Sequence, residues 1–386
     1  MKALSGIRIL DLSRLLPGPY CSMVLADFGA EVIKVEEPKT GDYSRTFPPF
    51  KSGFGYWHLQ LNRNKKSIAI DLKSEIGRKA FLKMVRKSDV VLESYRPGVL
   101  KRLGIDYETA SRLNPKIVYC SITGYGKKGP LVHQPDHDIG YLGLTGVLSM
   151  SGEKNGMPAI PGVLMADMNA ALMAGMSILM AVRYAEKSGS GQEIDISLYN
   201  TALTLMPGAA SLYFGSGFVA ERGNNWLTGA YANYNIYKTK DDLYLAVGCL
   251  EKKFWTNLCV AIQREDLINA IDDEKGHEHV KAGLTAIFKT RTQKEWTELL
   301  EGKDTCVEPV LTFDEALAAE QTTANDMVLD IQDEDIGEYK QMGFAMKLSE
   351  TPGRINKRAP RLGEDTEVVL REIGFSNEEI SKLQEK

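Results

Sequence analysis

The 386-residue sequence contains few cysteines and few histidines, five of each. The cysteines lie far apart in apolar runs and form no CxxC pair, which argues against a metal site and favours buried free thiols in a reducing compartment. The N-terminus shows an alternating, strand-like pattern instead of a long apolar run, which predicts no secretory signal and a cytoplasmic location. The longest apolar segment, 170–182, is shorter than the roughly 20 residues that a membrane span needs, so we expect no membrane association.

Further absences exclude classes of ligand. The net charge of −4 gives no reason to expect a nucleic-acid partner. The turn after the first predicted strand reads LLPGPYCS and lacks the GxGxxG that lets a dinucleotide pyrophosphate approach the backbone. His277 and His279 lie in the acidic run DDEKGHEH (272–279) without a convincing third ligand, so we interpret the run as an exposed charged loop with no metal.

Apolar runs of strand length alternate with helical segments in the first half of the chain. IRILDL (7–12) and residues 31–35 flank a helix-like run that ends near Phe28, which predicts a βαβ unit. The alternation continues and predicts an α/β fold with a parallel sheet covered by helices. The further predicted elements are strands at 67–70, 89–92, 117–122 and 192–196, and helices at 74–87 and 170–184.

The pattern changes after residue 225. Residues 234–238 and 243–247 form a predicted hairpin, and helical segments follow at 252–262, 280–288 and 293–300. The chain exceeds the roughly 250–300 residues at which single cores stop growing, so we expect two domains. The predicted division is a large α/β domain at 1–197, a helical linker at 198–225, a smaller α+β domain at 226–320, and a C-terminal return onto the large domain at 321–386.

Basic residues lie at the edges of some of the predicted strands. They lie in NRNKK (62–66) and YRPG (95–98), with Lys73 and Arg102 nearby in the sequence. One such pair alone is usually solvated surface. Several pairs beside successive strands indicate a phosphate-rich ligand, because α/β sheets present their ligand-binding loops at strand ends.

Several acidic residues and one histidine precede predicted helices. QPDHDIGYLGLTG (134–146) places His137 and Asp138 before a helix, where either residue would cap free backbone N–H groups, and Asp138 is the better cap. Asp167 would equally cap the Ala-rich helix, and Glu251 would be an ordinary acid of a first helical turn. A helix N-terminus can also hold an oxyanion, so a capping position is compatible with a catalytic one.

Longer segments carry a family resemblance. They are LSGIRILDLSRLLPGPYCSMVLADFGAEVIKVEEP, NRNKKSIAIDLK, ESYRPGVLKRLGI, SITGYGKKGP and RAPRLGEDTEVVL. Together they resemble the class III CoA-transferase superfamily, also called the CaiB/BaiF family, over essentially the whole chain. The α-methylacyl-CoA racemase branch of that superfamily is resembled by PDHDIGYLGLTG, GVLMADMNAALMAG, YNIYKTKDDLYLAVGCLEKKFW and DTCVEPVLTFDEA.

The resemblance implies a Rossmann-like large domain, a smaller domain and a homodimer of two interlocked chains. It also implies that an acyl-CoA substrate binds the large domain while the small domain of the partner chain closes over the thioester. No cofactor beyond the CoA moiety of the substrate is implied. Glu36-Glu37-Pro38 stands where some racemases have an arginine, so one contact to the adenine or phosphate side differs. The positions that the resemblance assigns to CoA binding are Asn64, Leu72, Lys73, Arg96, Arg102 and Asp138.

A two-base reaction at C2 of a 2-methylacyl-CoA is also implied. A thioester acidifies its α-hydrogen, but the carbon acid stays weak, so a positioned base and stabilisation of the enolate oxygen are both needed. His137 and Asp167 match the racemase residues that flank the α-carbon, and Glu251 matches the residue that orients the imidazole. Histidine suits this task because its ordinary pKa of about 6.5 allows either protonation state in the cell.

Other functions fit the same segments. In a CoA transferase, Asp167 would attack the acyl-CoA as a nucleophile and form a mixed anhydride, through which CoA is exchanged between two acids. A catalytically idle CoA-binding protein is a second alternative, against which the set of His137, Asp167 and Glu251 argues. His137, and Glu251 where some transferases have a run of glycines, favour the racemase. The acyl group stays open, since branched fatty acyl, arylpropionyl and sterol-derived chains are all compatible.

Overall fold

The computed structural model describes residues 1–272 and 274–384. The strands, in chain order, are β1 (Arg8–Asp11), β2 (Glu31–Glu36), β3 (Phe50–Lys51), β4 (Phe54–Gly55), β5 (Lys65–Ala69), β6 (Val90–Glu93), β7 (Val118–Thr123), β8 (Glu193–Ser197), β9 (Tyr234–Lys238), β10 (Tyr244–Gly248), β11 (Val307–Pro309), β12 (Val328–Asp333) and β13 (Gly337–Met342). The α-helices are α1 (Pro17–Asp27), α2 (Tyr56–Asn62), α3 (Glu75–Val85), α4 (Val99–Leu103), α5 (Tyr107–Leu113), α6 (Asp138–Leu144), α7 (Val147–Met150), α8 (Met165–Ser188), α9 (Leu198–Leu203), α10 (Pro207–Ser216), α11 (Lys252–Ala261), α12 (Glu274–Phe288), α13 (Gln293–Leu300), α14 (Phe313–Ala318), α15 (Glu320–Ala324), α16 (Thr366–Glu372) and α17 (Asn377–Gln384). Short 3-10 helices lie at Tyr43–Thr46, Trp226–Thr228 and Glu265–Leu267.

The chain divides into two compact units, which we call unit 1 and unit 2. Unit 1 consists of Met1–Leu144, Val163–Leu205 and Glu320–Lys386, and unit 2 of Thr145–Gly162 and Met206–Ala319. Unit 2 therefore includes residues 145–162, which the sequence placed in the large domain. The predicted linker 198–225 is divided between the two units after residue 205.

Unit 1 is built on a parallel sheet whose strands follow the order β5-β2-β1-β6-β7-β8. Ile9 of β1 pairs with Val32 of β2 and with Val90 of β6, and all three residues are fully buried. Strands buried on both faces read as continuous apolar runs, which is why the sequence predicted this parallel sheet. By chain position the order is third, second, first, fourth, fifth, sixth, which is the Rossmann arrangement. Such sheets bind ligands where the order reverses, here at the carboxyl ends of β1 and β6.

The C-terminal helices complete the core on one side of this sheet. In α3 the buried residues recur at spacings of three and four, so Phe81 and Met84 lie on one face of the helix. Val369 and Leu370 of α16 and Ile380 of α17 pack into the same cluster of buried side chains. The last stretch of the chain therefore belongs to the core of unit 1.

A hairpin that the sequence did not predict precedes these helices. β12 pairs antiparallel with β13 along its whole length. Tyr339 and Gln341 of β13 are buried, whereas the charged residues Glu338 and Lys340 that alternate with them are exposed. The acidic character of the segment concealed this alternation.

Unit 2 contains a small sheet of order β11-β10-β9 and the helices α11, α12 and α13. β9 and β10 form the predicted hairpin, with Lys238 opposite Tyr244. The inward residues Tyr237 and Leu245 pack with Trp255 and other buried side chains of the helices. Unit 2 therefore has a core of its own.

Some expectations for unit 2 are wrong. His277 does not lie in an exposed loop: it belongs to α12, is buried, and stacks on the Tyr231 ring with 4.3 Å between centroids. Its Nδ1 accepts a hydrogen bond from the Ala232 N–H (3.1 Å), so a charged run contains a core residue. Asp273 of the same run lies outside the described residues. Cys306 is exposed, whereas the remaining cysteines are buried as expected.

Helix α8 is longer than the apolar segment 170–182 indicated. By length and composition it could cross a membrane, which corrects the expectation drawn from that shorter segment. One such helix is weak evidence, because the core helix of a soluble protein meets the same criteria, and 39% of its apolar window is buried in the structure. Its exposed face carries Leu172, Met176 and Met180.

Candidate active site

An arginine held by two tyrosines lies at the crevice between β1 and β6. Arg14 follows β1, and its backbone N–H donates to Ser94 Oγ (3.1 Å) in the chain that leaves β6. Its guanidinium donates to the hydroxyl groups of Tyr43 (3.4 Å) and Tyr95 (3.2 Å) and lies over both rings. Arg14 therefore places a fixed positive charge where a sheet of this order binds its ligand. It stands alone after its strand, outside any basic cluster, so the sequence did not reveal it.

Glu93, the last residue of β6, is a buried carboxyl group at the same crevice. Burial raises its pKa to about 7. Its Oε2 accepts the Tyr95 N–H (2.7 Å), so the turn that carries Tyr95 and Arg96 is attached to the end of the strand.

Four of the positions assigned to CoA follow the carboxyl ends of strands. Leu72 and Lys73 follow β5, Arg96 follows β6, and Arg102 lies in α4, which comes next. Lys73, Arg96 and Arg102 are exposed, and their side chains make no ion pair or hydrogen bond within the described residues. Leu72 is half-buried against the core. Cations without protein partners at the ligand-binding edge are suited to phosphate groups.

Asn64 is not brought together with these residues. It precedes β5 and so lies at the amino edge of the sheet, with a left-handed backbone (φ 64°). Its amide donates to Asp27 Oδ1 (2.7 Å) and to the Arg354 carbonyl (2.8 Å), and its Oδ1 accepts the Asn356 N–H (2.7 Å). These bonds attach the C-terminal segment to unit 1, and we leave Asn64 out of the CoA site proposed below.

Glu36 and Glu37, which stand at the end of β2 where some racemases have an arginine, have partners within unit 1. Both oxygens of the buried Glu36 carboxylate accept from Arg45 (2.8 and 2.7 Å), and one also accepts from the Ser67 hydroxyl (2.6 Å). The half-buried Glu37 accepts the Thr40 N–H (2.8 Å) within its own turn. The charge at Glu36 is thus compensated inside the protein.

The loop after β7 leads to His137, which immediately precedes α6. The His137 carbonyl accepts the N–H groups of Gly140 (2.9 Å) and Tyr141 (3.3 Å), so its backbone occupies the N-cap position. The side chain is exposed and its imidazole makes no hydrogen bond within the described part of the chain. His137 therefore caps the helix through its backbone, and its imidazole is accessible.

Asp138 is a cap, but of a different helix from the one that it begins. Its side chain is buried, and its Oδ1 accepts the N–H groups of Ala166 (2.8 Å) and Asp167 (3.1 Å) in the first turn of α8. Leu164 at the N-cap of α8 has no side-chain oxygen to supply this bond. Asp138 therefore satisfies two backbone donors that would otherwise lack partners and brings α6 to the start of α8.

Asp167 lies in the first turn of α8 and has a raised pKa. Burial raises the pKa of Asp167 to about 6, the charge of Asp138 adds to the rise, and the charge of His137 opposes it. His137, Asp138 and Asp167 thus interact electrostatically at one place in unit 1. A carboxyl group that titrates close to neutral pH can both accept and release a proton in the cell.

Glu251 belongs to unit 2 and occupies the N-cap position of α11. Its carboxylate makes no capping hydrogen bond and is exposed, so it is not an ordinary helix cap. It lies near Cys306, where burial first and the charge of Glu251 next raise the pKa of the thiol. The free carboxylate is compatible with the orienting role that the resemblance implies, which stays a prediction.

The fold and the site together define an α/β protein with a Rossmann-ordered sheet, exposed cations at the carboxyl edge of that sheet, and a histidine close to two carboxyl groups. Residues 4–366 match the family model of CoA-transferase family III. The chain belongs to this family of enzymes, whose substrates are acyl-CoA thioesters.

Relatives with two kinds of activity have similar sequences. An acyl-CoA transferase of Fusarium pseudograminearum is 34% identical, over 99% of this chain and 87% of the relative. The α-methylacyl-CoA racemase of Homo sapiens is also 34% identical, over 99% of this chain and 96% of the relative. A CaiB/BaiF family protein from Brucella suis has a similar solved structure, with a TM-score of 0.84, 28% identity, and 96% and 99% of the two chains covered.

Proposed function

We propose that this protein is an α-methylacyl-CoA racemase-like enzyme that inverts C2 of a 2-methylacyl-CoA by 1,1-proton transfer through an enolate. The observation that carries the proposal is the raised pKa of Asp167, about 6, beside the free imidazole of His137. Inversion needs one group to remove the α-proton and a second group to deliver a proton to the opposite face. Asp167 and His137 would exchange these tasks in the two directions of the reaction.

The enolate oxygen needs hydrogen-bond donors other than the first amides of α8. The N–H groups of Ala166 and Asp167 already donate to Asp138, and the Met168 N–H donates to the Leu164 carbonyl (2.9 Å). The expectation that this helix N-terminus holds the oxyanion therefore fails for these amides. The acid form of His137 or Asp167 is a donor that remains for the enolate.

The CoA moiety would bind along the carboxyl edge of the sheet. Lys73, Arg96 and Arg102 supply cations there that have no partner among the described residues, and Arg14 supplies a cation fixed by two tyrosines. Phosphate groups are bound by such cations through charge-assisted hydrogen bonds. No other cofactor enters the proposed reaction, and this absence stays a prediction, as does the cytoplasmic location.

Self-association is part of the proposal. The exposed face of α8 carries large apolar side chains, among them Leu172, Met176, Met180 and Tyr184, and contiguous apolar surface of this kind marks interaction sites. A second copy of the chain would cover this face, and in the homodimer Glu251 of one chain would orient His137 of the other. Interlocking of the two chains stays a prediction.

A CoA transferase is the second candidate function. The Fusarium relative carries that activity in its name at the same 34% identity as the human racemase. Asp167 would then be the nucleophile, and its half-buried position in the first turn of α8 would hold its carboxylate for attack on the thioester. The free imidazole of His137 has no evident task in that chemistry, and for this reason we favour the racemase.

The test is solvent exchange at C2. The protein is incubated in deuterated water with a (2R)- or (2S)-2-methylacyl-CoA and no second acid. We expect deuterium to enter at C2 and both epimers to form. Epimerisation that strictly requires an added carboxylic acid would refute the racemase function.

A further inference from the structure

We propose that Asp136 and Tyr125 are positioning residues that hold the backbone of His137 in place for proton transfer. The inference rests on the proposed function, in which His137 is one of the two acid/base groups. Neither residue is assigned a role by the resemblance or by the relatives. Both act through His137 and not on the substrate.

Asp136 uses its carboxylate and its carbonyl to fix the chain just before His137. Its Oδ1 accepts the His137 N–H (2.9 Å), and its Oδ2 accepts the Tyr125 hydroxyl (2.6 Å). The Asp136 carbonyl accepts the Tyr141 hydroxyl (3.2 Å). The residue before His137 is therefore held by two tyrosines, one from the loop that follows β7 and one from α6.

Close contact around the carboxylate shows that its position is tightly defined. A Cβ atom on Gly140 would lie 1.9 Å from Asp136 Oδ1, closer than any real contact allows. Glycine at this position in α6 lets the carboxylate lie against the first turn of the helix. Asp136 therefore fixes where α6 begins as well as where His137 stands.

Tyr125 is itself anchored by aromatic packing. Its ring is buried and meets the Tyr141 ring edge-on at 5.2 Å and the Tyr199 ring at 5.9 Å. Its bond to Asp136 spans 11 residues and closes the loop between β7 and α6. A loop whose two ends are joined in this way transmits the rigidity of the sheet to the residue that follows it.

The free imidazole makes this anchoring important for the reaction. Within one chain no described group makes a hydrogen bond to the His137 imidazole, so the backbone decides where the imidazole stands, and Glu251 of the other chain would only orient the ring. A displacement of about 1 Å at a reacting group can reduce the rate about 100-fold. Loss of the bond between Tyr125 and Asp136 should therefore reduce kcat while leaving the binding of the CoA thioester unchanged.

The experiment compares Tyr125→Phe with a matched control. Tyr125→Phe keeps the ring packing and removes the hydroxyl, and we expect kcat for C2 exchange to fall about tenfold with KM within twofold. Tyr199→Phe is the control, since Tyr199 belongs to the same ring cluster and its hydroxyl makes no hydrogen bond within the described residues. It should leave kcat and KM unchanged.

A second comparison separates positioning from a general structural role. In the His137→Ala background, adding Tyr125→Phe should not lower the residual exchange rate further, because the positioned side chain is already gone. Asparagine at position 136 has one oxygen in place of the two carboxylate oxygens, so Asp136→Asn can accept only one of the two hydrogen bonds. Asp136→Asn and Tyr125→Phe disturb the same set of contacts, and their effects on kcat should therefore not add. Equal further losses with and without His137, or an unchanged kcat in Tyr125→Phe, would overturn the inference.

Amide hydrogen exchange tests the contact independently of activity. The His137 N–H should exchange faster in Tyr125→Phe and faster still in Asp136→Ala, and unchanged protection in both variants would overturn the inference. Absence of C2 exchange in the wild-type protein would instead refute the proposed function. Amide exchange would then decide alone whether Tyr125 and Asp136 hold this backbone.

Discussion

Two groups of ionisable side chains in unit 1 differ in how their charges are matched. In the first, which we call the buried charge cluster, Lys34 lies 2.8 Å from Asp42 and Lys65 lies 3.3 Å from Asp11, and all four side chains are buried. The second comprises Asp138, the first residue of α6, and Asp167 in the first turn of α8. Within the described residues neither of these carboxyl groups pairs with a lysine or arginine.

The two groups bind protons differently as a result. Burial raises the pKa of Asp11, but the charges of Lys65 and Lys34 outweigh burial and lower it overall. At Asp167 burial and the charge of Asp138 act in the same direction and raise the pKa to about 6. A carboxyl group with a matched cation stays ionised and contributes to structure. A carboxyl group without one can exchange protons near neutral pH, which is what catalysis needs.

The largest expected effect is at His137. His137→Ala should reduce the rate of C2 exchange by about 10²–10⁴, the range for a general acid or base, because the second proton donor is lost. Binding of CoA itself should not change. Exchange kinetics and CoA titration measure the two quantities. The control is His133→Ala, which removes an exposed histidine four positions earlier in the chain and should keep full activity. Full activity of His137→Ala would show that His137 is only a backbone cap.

The next effect is on stability. Lys34→Met should lower the free energy of unfolding by about 3–5 kcal/mol, because Asp42 and Asp11 stay buried with too few cations. Lys66→Met is the control on the neighbouring strand, where a partly exposed pair with Glu31 should contribute about 1 kcal/mol or less. Denaturant unfolding measures both. Equal losses would contradict the distinction between buried and exposed charges.

A smaller effect concerns CoA binding. Arg96→Ala and Arg102→Ala should each raise KM about tenfold and change kcat little, because a phosphate contact far from C2 is equally strong in the ground and transition states. Steady-state kinetics separate the two constants. Arg112→Ala removes a similar exposed charge at the end of α5 and should change neither. A loss of kcat with unchanged KM would place Arg96 and Arg102 away from CoA.

The smallest effect is a shift in pH dependence. Removal of a proton by Asp167 requires its ionised form, so the rate for the epimer that it deprotonates should fall as the pH drops through about 6. Asp138→Asn keeps the Oδ1 that accepts both amides of α8 and removes the charge that raises the pKa of Asp167. The acid limb should therefore move to lower pH, by roughly one unit or less. An unmoved or raised limb would contradict the electrostatic role of Asp138.

Periodicity in the sequence was enough to predict the sheet of unit 1 and the hairpin of unit 2. Buried parallel strands are mostly apolar, and β1, β2 and β6 show this in IRILDL and its counterparts despite the buried charges that they contain. The hairpin β12–β13 was not predicted because its exposed face is charged. The assignment of residues 145–162 to unit 2 depends on contacts distant in sequence, which periodicity does not contain.

The candidate site was predicted as a set of residues but not as an arrangement. Asp138 was expected to cap its own helix, and its true partners, Ala166 and Asp167, are 28 and 29 positions away. Arg14 and Asp136 were not found, because each gains its role from tyrosines that the fold brings to it. Spacing along the chain identifies residue types, whereas tertiary contacts between β7, α6 and α8 decide what those residues do.

The central claim is that Asp167 exchanges protons and does not form a covalent bond with the acyl group. Hydroxylamine or borohydride is added during turnover of a 2-methylacyl-CoA, and the peptide spanning residues 166–174 is measured by mass spectrometry. We predict that this peptide stays unmodified while C2 exchanges with solvent. A turnover-dependent adduct on the Asp167 carboxylate would contradict the racemase account and establish the transferase mechanism instead.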